Sequence, residues 1–363
     1  MSVTNFGDIG KTNGESEAKF HPNNVNAGAI FALQGKGRKS FASQETEGVD
    51  SHATMARGDD ENDSSMMRLC AFFLGLILIG LVPAGAAPAV LATLKPLHSL
   101  VAAVMAGAGT PELLIGGALS EHSYELKPSD ARKIQAAALI FEIGPDMETY
   151  LSGALGSARG KVIILEEAAG VQRQAARHGG LWGEDEDAHG PRDPHIWLDL
   201  QNAIAMTRAI AEALARSDPA HASLYRANAA KRMSELAALD KEIAATLAPV
   251  RAEPYLVFHD AYHYFEARYG LKPAGAITVS PERPVGARRI AALRQAVLEG
   301  KAVCLFREPQ FPPKLIETLD ADTKIRVGVL DPLGAELEPG PALYPTLMRH
   351  LAQSLAGCLR KNR

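Results

Sequence analysis

Residues 218–250 read DPAHASLYRANAAKRMSELAALDKEIAATLAPV. Asp218 followed by Pro219 is a helix-entry signal, because proline in the first turn gives up no hydrogen bond that the helix would make. From Ala220 to Ala248 the chain has neither glycine nor proline. Nothing interrupts the backbone ladder for about 29 residues, which at ~1.5 Å rise would reach roughly 43 Å, longer than an average domain helix. Such a helix splits the chain into two parts, one on each side of it.

On both sides the chain alternates strand with helix. Before the long helix come the apolar run AVLATL (89–94), the helical PLHSLVAAVMAG (96–107), and ELLIGGA (112–118). PSDARKIQAAALIFEIG (128–144) is a helix running into a strand, with Ser129 or Asp130 as its cap. KVIIL (161–165) is a further strand, and LQNAIAMTRAIAEALAR (200–216) has helical apolar spacing. After the long helix, YLVFHD, AVCLFRE and IRVGVL read as strands, with HYFEARYG, GARRIAALRQAVLEG and FPPKLIETLDA as helices. Strand–helix alternation means right-handed βαβ units and a mainly parallel sheet. The expected fold is α/β, two lobes of mainly parallel sheet flanked by helices and joined by one long rigid helix. The expected boundaries are 88–217 for the first lobe, 218–249 for the linking helix and 250–363 for the second lobe.

The chain has 363 residues, 47% hydrophobic and 22% charged, with a formal net charge of −4. That length fits one large or two medium domains, and the charge balance does not suggest a nucleic-acid partner. Residues 1–65 are rich in Gly, Asn, Ser, Asp and Glu without apolar periodicity, a composition that cannot offset its ordering entropy. At Met66 the character changes to MMRLCAFFLGLILIGLVPAGAAPAV. Arg68, the apolar run Leu69–Val82 and Ala84-Gly85-Ala86 form the three parts of a secretory signal peptide, residues 66–87. The run is shorter than the ~20 residues of a membrane-spanning helix. Because a signal peptide belongs at an N-terminus, translation is expected to begin at Met66 or Met67. The competing reading is a cytoplasmic tail before an uncleaved anchor. Export would remove Cys70 and leave Cys304 with Cys358, an even pair that an oxidising compartment would join as a disulfide; two separate thiols are the alternative.

Three histidines stand at strand ends or in the loops just beyond. His122 follows LLIGGALSE, His195 lies in DPHIWLD after a polar break, and His259 closes YLVFH. Open α/β sheets bind ligands outside the carboxyl ends of their strands. Three neutral imidazoles meeting in the cleft between lobes would suit zinc, at ~2.0–2.1 Å in tetrahedral geometry. Copper and nickel also accept imidazole, whereas manganese prefers more carboxylate. The spacing matches no short ligand motif, so by spacing alone each histidine is better read as an ordinary core or surface residue than as a ligand.

SEHSYELKPSD (120–130), DPHIWLD (193–199), YLVFHDAYHYFEARYGL (255–271), CLFREPQF (304–311) and VLDPLG (329–334) occur in that order. Together they resemble the periplasmic zinc-binding proteins of ABC-type zinc uptake systems, over roughly residues 88–360. The resemblance implies two α/β lobes on one long helix with metal between them, and His122, His195 and His259 as ligands. In manganese-preferring relatives the third position is a glutamate, so His259 implies zinc. The fourth ligand varies across the family, and Glu121, Asp331 or water are the candidates here. Glu308 in REPQF is expected to orient a ligating imidazole from behind.

The polar break 166–194 occupies the place where zinc-specific relatives carry a mobile loop rich in histidine and acids. Here it holds only His178 and His189 around Glu184, Asp185, Glu186 and Asp187, so a secondary metal loop and an ordinary solvated loop are equal readings. His263 and His98 are expected to pack or hydrogen-bond, His221 and His350 to face solvent, and Trp197 and Tyr262 to exclude water beside the metal. The leading function is capture of Zn(2+) in the periplasm by a monomer that delivers it to an ABC transporter membrane permease. Manganese or iron transport is the runner-up. A zinc hydrolase is the competing class, but the chain has no H-E-x-x-H pair, G-x-S-x-G elbow or phosphate-type glycine loop. No enzymatic activity is therefore expected.

Overall fold

The computed structural model describes residues 86–122, 124–182, 192–278, 281 and 284–360. The segment 1–65, the signal peptide through residue 85 with Cys70, and His189 lie outside the described residues.

Two sheets form among the described residues, and every strand pair in them is parallel. The first holds β1 (Val90–Ala92), β2 (Glu112–Leu113), β3 (Leu139–Glu142) and β4 (Lys161–Ile164), in the order β2-β1-β3-β4. The second holds β5 (Pro254–His259), β6 (Lys272–Thr278), β7 (Cys304–Arg307) and β8 (Arg326–Val329), in the order β6-β5-β7-β8. Each half thus sends its chain to one side of its first strand and then to the other. In a parallel sheet that reversal opens a crevice at the carboxyl ends of the two central strands. The central runs VLA, LIFE and YLVFH are buried, as a strand covered on both faces requires. β8, at the edge, alternates half-buried with exposed residues.

The linking helix α5 spans Ala222–Leu247, 26 residues or about 39 Å, preceded by a tight turn at Pro219–His221. It starts later than the sequence suggests because the Asp218 carboxylate accepts hydrogen bonds from His221 Nδ1 (2.7 Å) and Tyr225 Oη (2.8 Å), tightening the entry. His221, expected to face solvent, is half-buried by this arrangement. Tyr225, Ala229, Leu236, Leu239, Ile243 and Leu247 form one buried stripe. It packs with α1 (Lys95–Met105), α4 (Leu200–Ser217) and α9 (Leu343–Leu359).

Sequence reading did not anticipate β6 or α9. α9 buries Leu343, Tyr344, Leu347, Met348, Leu351 and Leu355. Its Cys358 is joined to Cys304 of β7 by a disulfide. The cap of α2 (Pro128–Ala136) also differs: Lys127 precedes the helix, and Asp130, its third residue, accepts from Lys127 N (2.9 Å) and Tyr124 Oη (2.7 Å). The short helix α3 (Ser152–Leu155) lies between α2 and α4, and between α6 (His263–Tyr269) and the last strand lie α7 (Ala287–Leu298) and α8 (Lys314–Thr323).

One apolar core runs from Leu91 and Phe141 in the first sheet, through the packed helices, to Tyr255 and Phe306 in the second. Polar ties reinforce it. The buried Lys95 ammonium donates to Gly334 O (2.7 Å) and Ala335 O (2.9 Å), and Trp197 Nε1 donates to Pro332 O (2.9 Å).

Candidate metal site

His259 is the last residue of β5, at the crevice of the second sheet. β5 pairs with β7 with Tyr255 opposite Cys304 and Leu256 opposite Leu305. Carrying that register forward sets Glu308 beside His259. Both Glu308 oxygens lie 2.8 Å from His259 Nδ1, leaving Nε2 to point the other way. Each of the two side chains is 1% exposed. Burial alone would lower the imidazole's pKa, but the Glu308 carboxylate overrides it and, with Glu121 and Asp260, holds it up at about 9.

His195 follows a short turn, Asp193-Pro194, and precedes the tight helical turn Ile196–Leu198. Asp193 Oδ1 accepts from His195 N (2.9 Å) and lies 2.7 Å from His195 Nδ1, so this ring too is gripped from behind and turned Nε2-inward. Burial first, and then the nearby Asp260, push the Asp193 carboxyl up to about 7. Trp197 packs 5.3 Å from the His195 ring. Glu121 and His122 arrive on the loop after β2, where Ser120 Oγ accepts from His122 N (3.2 Å). The first sheet's own crevice is filled instead by Glu148, whose carboxylate accepts from Thr93 Oγ1 (2.6 Å), Ile143 N (3.1 Å) and Gly144 N (2.9 Å).

The three rings form a near-equilateral triangle with centroids 5.3, 5.4 and 5.3 Å apart. Their Nε2 atoms converge: His122 to His195 is 3.2 Å, and His259 to His195 is 3.4 Å. Glu121 Oε1 lies 3.8 Å from His122 Nε2 and 4.0 Å from His195 Nε2. All four donor atoms fall within 4.8 Å of one another. Donors at ~2.0–2.1 Å on a tetrahedron stand about 3.3 Å apart, so the set has the dimensions to hold one metal ion. Glu121, His195 and His259 are at most 1% exposed, and His122 alone opens part of its edge. Tyr262 and Phe311 wall the His259 side, with ring centroids 6.4 and 6.2 Å away.

Asp331 is not part of this cluster. Its carboxylate accepts from Leu333 N (3.0 Å), Gly334 N (2.9 Å), Ala335 N (2.5 Å) and Gln310 Nε2 (2.7 Å). A short acidic side chain bonding the backbone two to four residues on stabilises a turn, and that is its work here. His178 is exposed and outside the cluster. His98 is buried against Pro111 O (3.1 Å). Asp193 was not singled out from the sequence, although a carboxylate two residues before a candidate ligand, across a proline, was a usable signal.

A family model described as ZnuA, zinc-uptake complex component A, periplasmic, matches residues 90–358. The high-affinity zinc uptake system protein ZnuA of Brucella suis biovar 1 is 45% identical over 336 residues, covering 83% of this chain and 100% of that protein. Its namesake from Paracoccus denitrificans is 37% identical over 299 residues, covering 75% and 92%. A crystal structure of a ZnuA matches with a TM-score of 0.66 at 25% identity, over 76% of this chain and 100% of the other. The periplasmic zinc-binding protein TroA of Treponema pallidum, at 21% identity and a TM-score of 0.66, shares the fold over 76% of this chain.

Proposed function

The chain belongs to the ZnuA family of periplasmic zinc-uptake components, and from that premise we propose that it captures one zinc ion between its lobes and surrenders it to the membrane permease of an ABC importer. The observation that carries this is the convergence of His122, His195 and His259 Nε2 with Glu121 Oε1 at tetrahedral separations. Three nitrogens and one carboxylate oxygen suit zinc better than manganese, which favours oxygen-rich sites.

In this reading Glu121 is the fourth ligand and the ion is cargo. Imidazole must be neutral to bind it, so loading displaces any proton that His259 holds. Glu308 and Asp193 receive the Nδ1–H groups on the far side of each ring, fix the tautomers and strengthen the donors. Trp197, Tyr262 and Phe311 keep the surroundings apolar, which favours a fully coordinated ion over a hydrated one. The arrangement fits a carrier: each donor is directed at the ion, and the family's role is substrate binding for transport. The leader at 66–87 supports export to the periplasm.

Competition titration with a zinc-chelating fluorophore tests the reading. The wild type should bind one zinc per chain, and His122→Ala, His195→Ala and His259→Ala should each weaken binding at least a hundredfold. A wild type without stoichiometric zinc, or alanine variants that bind as well as it does, would refute it.

A further inference from the structure

Between β4 and His195 the chain makes an excursion whose described residues supply no atom to the ligand cluster. It leaves the first lobe at Gln172, whose N donates to Asn202 Oδ1 (2.7 Å) and whose O accepts from Asn202 Nδ2 (2.9 Å) on α4. Two residues on, Gln174 N donates to Tyr264 Oη (2.9 Å) on α6 of the second lobe. From there residues 174–182 lie across the second lobe as a strap. Arg177 is its main fastening. Its guanidinium takes Asp260 with both Nε (3.1 Å) and Nη2, reaches Glu266 Oε2 with Nη1 (2.6 Å), and stacks 3.5 Å from the Trp182 ring.

The outward leg of the strap has a fitted seat. Leu181 lies on Gly275 of β6 so closely that a Cβ there would stand 2.3 Å from both Leu181 Cβ and Leu181 O. Arg289 of α7 donates to Gly180 O and Leu181 O while also holding Ala276 O and Ile277 O of β6. The return leg bridges back at Arg192, antiparallel to Ala175. One residue later Asp193 N donates to Gln174 O (3.1 Å), and Asp193 O accepts from Tyr264 Oη (2.9 Å). Asp193 is the residue that grips His195.

Two ligand-bearing arms therefore meet at one guanidinium. The strap leads through Asp193 to His195, and Asp260 is the next residue after His259. We propose that Arg177 is the positioning residue that locks these arms together, and that the seated strap sets how slowly a bound zinc ion leaves. This rests on the zinc-carrier reading. When the strap is seated, separating His195 from His259 strains a part-buried, two-pronged ion pair of planar geometry, which a single ammonium cannot reproduce. When it lifts, Asp193 and His195 move with it and the tetrahedron opens on one side. The fastening acts by holding the loaded site closed, so its effect falls mainly on dissociation.

The experiment is stopped-flow release of zinc from the loaded full chain into excess chelator, with association rate and stoichiometry measured alongside. Gly275→Ala fills the seat without touching a charge or a ligand, and Arg177→Met removes the fastening. Each should speed release at least tenfold, keep one zinc per chain, and change association less than threefold. Arg177→Lys should recover only part of the slow release. Release from Gly275→Ala at the wild-type rate overturns the latch even if Arg177→Met does not fold. So does a loss of affinity carried by association. A wild type that binds no zinc would instead sink the carrier reading.

Discussion

Replacing Glu308 by Gln keeps the shape behind His259 and removes its charge, and the outcome is set by two opposed effects. In the metal-free protein Glu308 is the main support for a His259 pKa of about 9, against the ordinary ~6.5. At pH 7 zinc must therefore expel a proton held about two units too tightly, which weakens apparent affinity about a hundredfold. Without the carboxylate, burial lowers the imidazole and that competition vanishes. The carboxylate also strengthens the ligand once zinc is bound, and losing such an outer partner costs about 10–100-fold. The variant should bind about 10–100-fold more weakly at pH 9.5, yet come within about tenfold of the wild type at pH 7, because these terms then nearly offset. Competition titrations from pH 6 to 9.5 give the ratio. Calorimetry in buffers of different ionisation heat should count about one proton more released by the wild type than by the variant at pH 7.5. A ratio of affinities that stays constant with pH would refute the reasoning.

Asp331→Ala should leave zinc affinity within about threefold and lower unfolding free energy by ~1–3 kcal/mol, since the turn at 333–335 loses its acceptor; a large loss of affinity with stability intact would restore it as a ligand. Exchanging Cys304 and Cys358 for serine opens a link across 54 residues, and the chain-entropy model puts the loss at ~4 kcal/mol, read from the denaturation midpoint. A midpoint indifferent to the exchange, or to reductant, contradicts that. Because His259 titrates at about 9 when folded and near ~6.5 when unfolded, its contribution is full below the lower value and disappears as pH climbs through the higher. Chelator-stripped protein should thus lose roughly 3 kcal/mol between pH 6.5 and 9, while the zinc-loaded form should not; denaturant midpoints that rise over this window would count against the His259–Glu308 pair.

The long helix was legible because Ala220–Ala248 lacks both residues that break a ladder. The central strands were legible because sheets covered on both faces demand continuous apolar runs. β6 was hidden by its own sequence, KPAGAIT, where Pro273 and Gly275 argue against a strand. The structure uses both features: β6 is an edge strand with an irregular register at Tyr255 and Leu256, and Gly275 clears room for Leu181. α9 was missed because Pro345 falls where the helix is starting, in its permitted first turn. Of the site, the histidines at strand ends and the glutamate beside His122 could be read from position and resemblance. What joins them could not, since convergence over 73 and 64 residues of chain is a property of the packed lobes. Asp331 misled because an acid before Pro-Leu-Gly serves turn-making and metal-binding equally well on paper.

The last described helix ties the far end of the chain back to the near one. α9 packs on α1, near the start of the described chain, and on α5, and Tyr344 N reaches back to Ser99 Oγ (2.9 Å). A chain in which residues 343–359 have not yet packed leaves one side of α1 and α5 uncovered, so the frame that carries the early histidines closes only when the far end of the sequence folds back onto it.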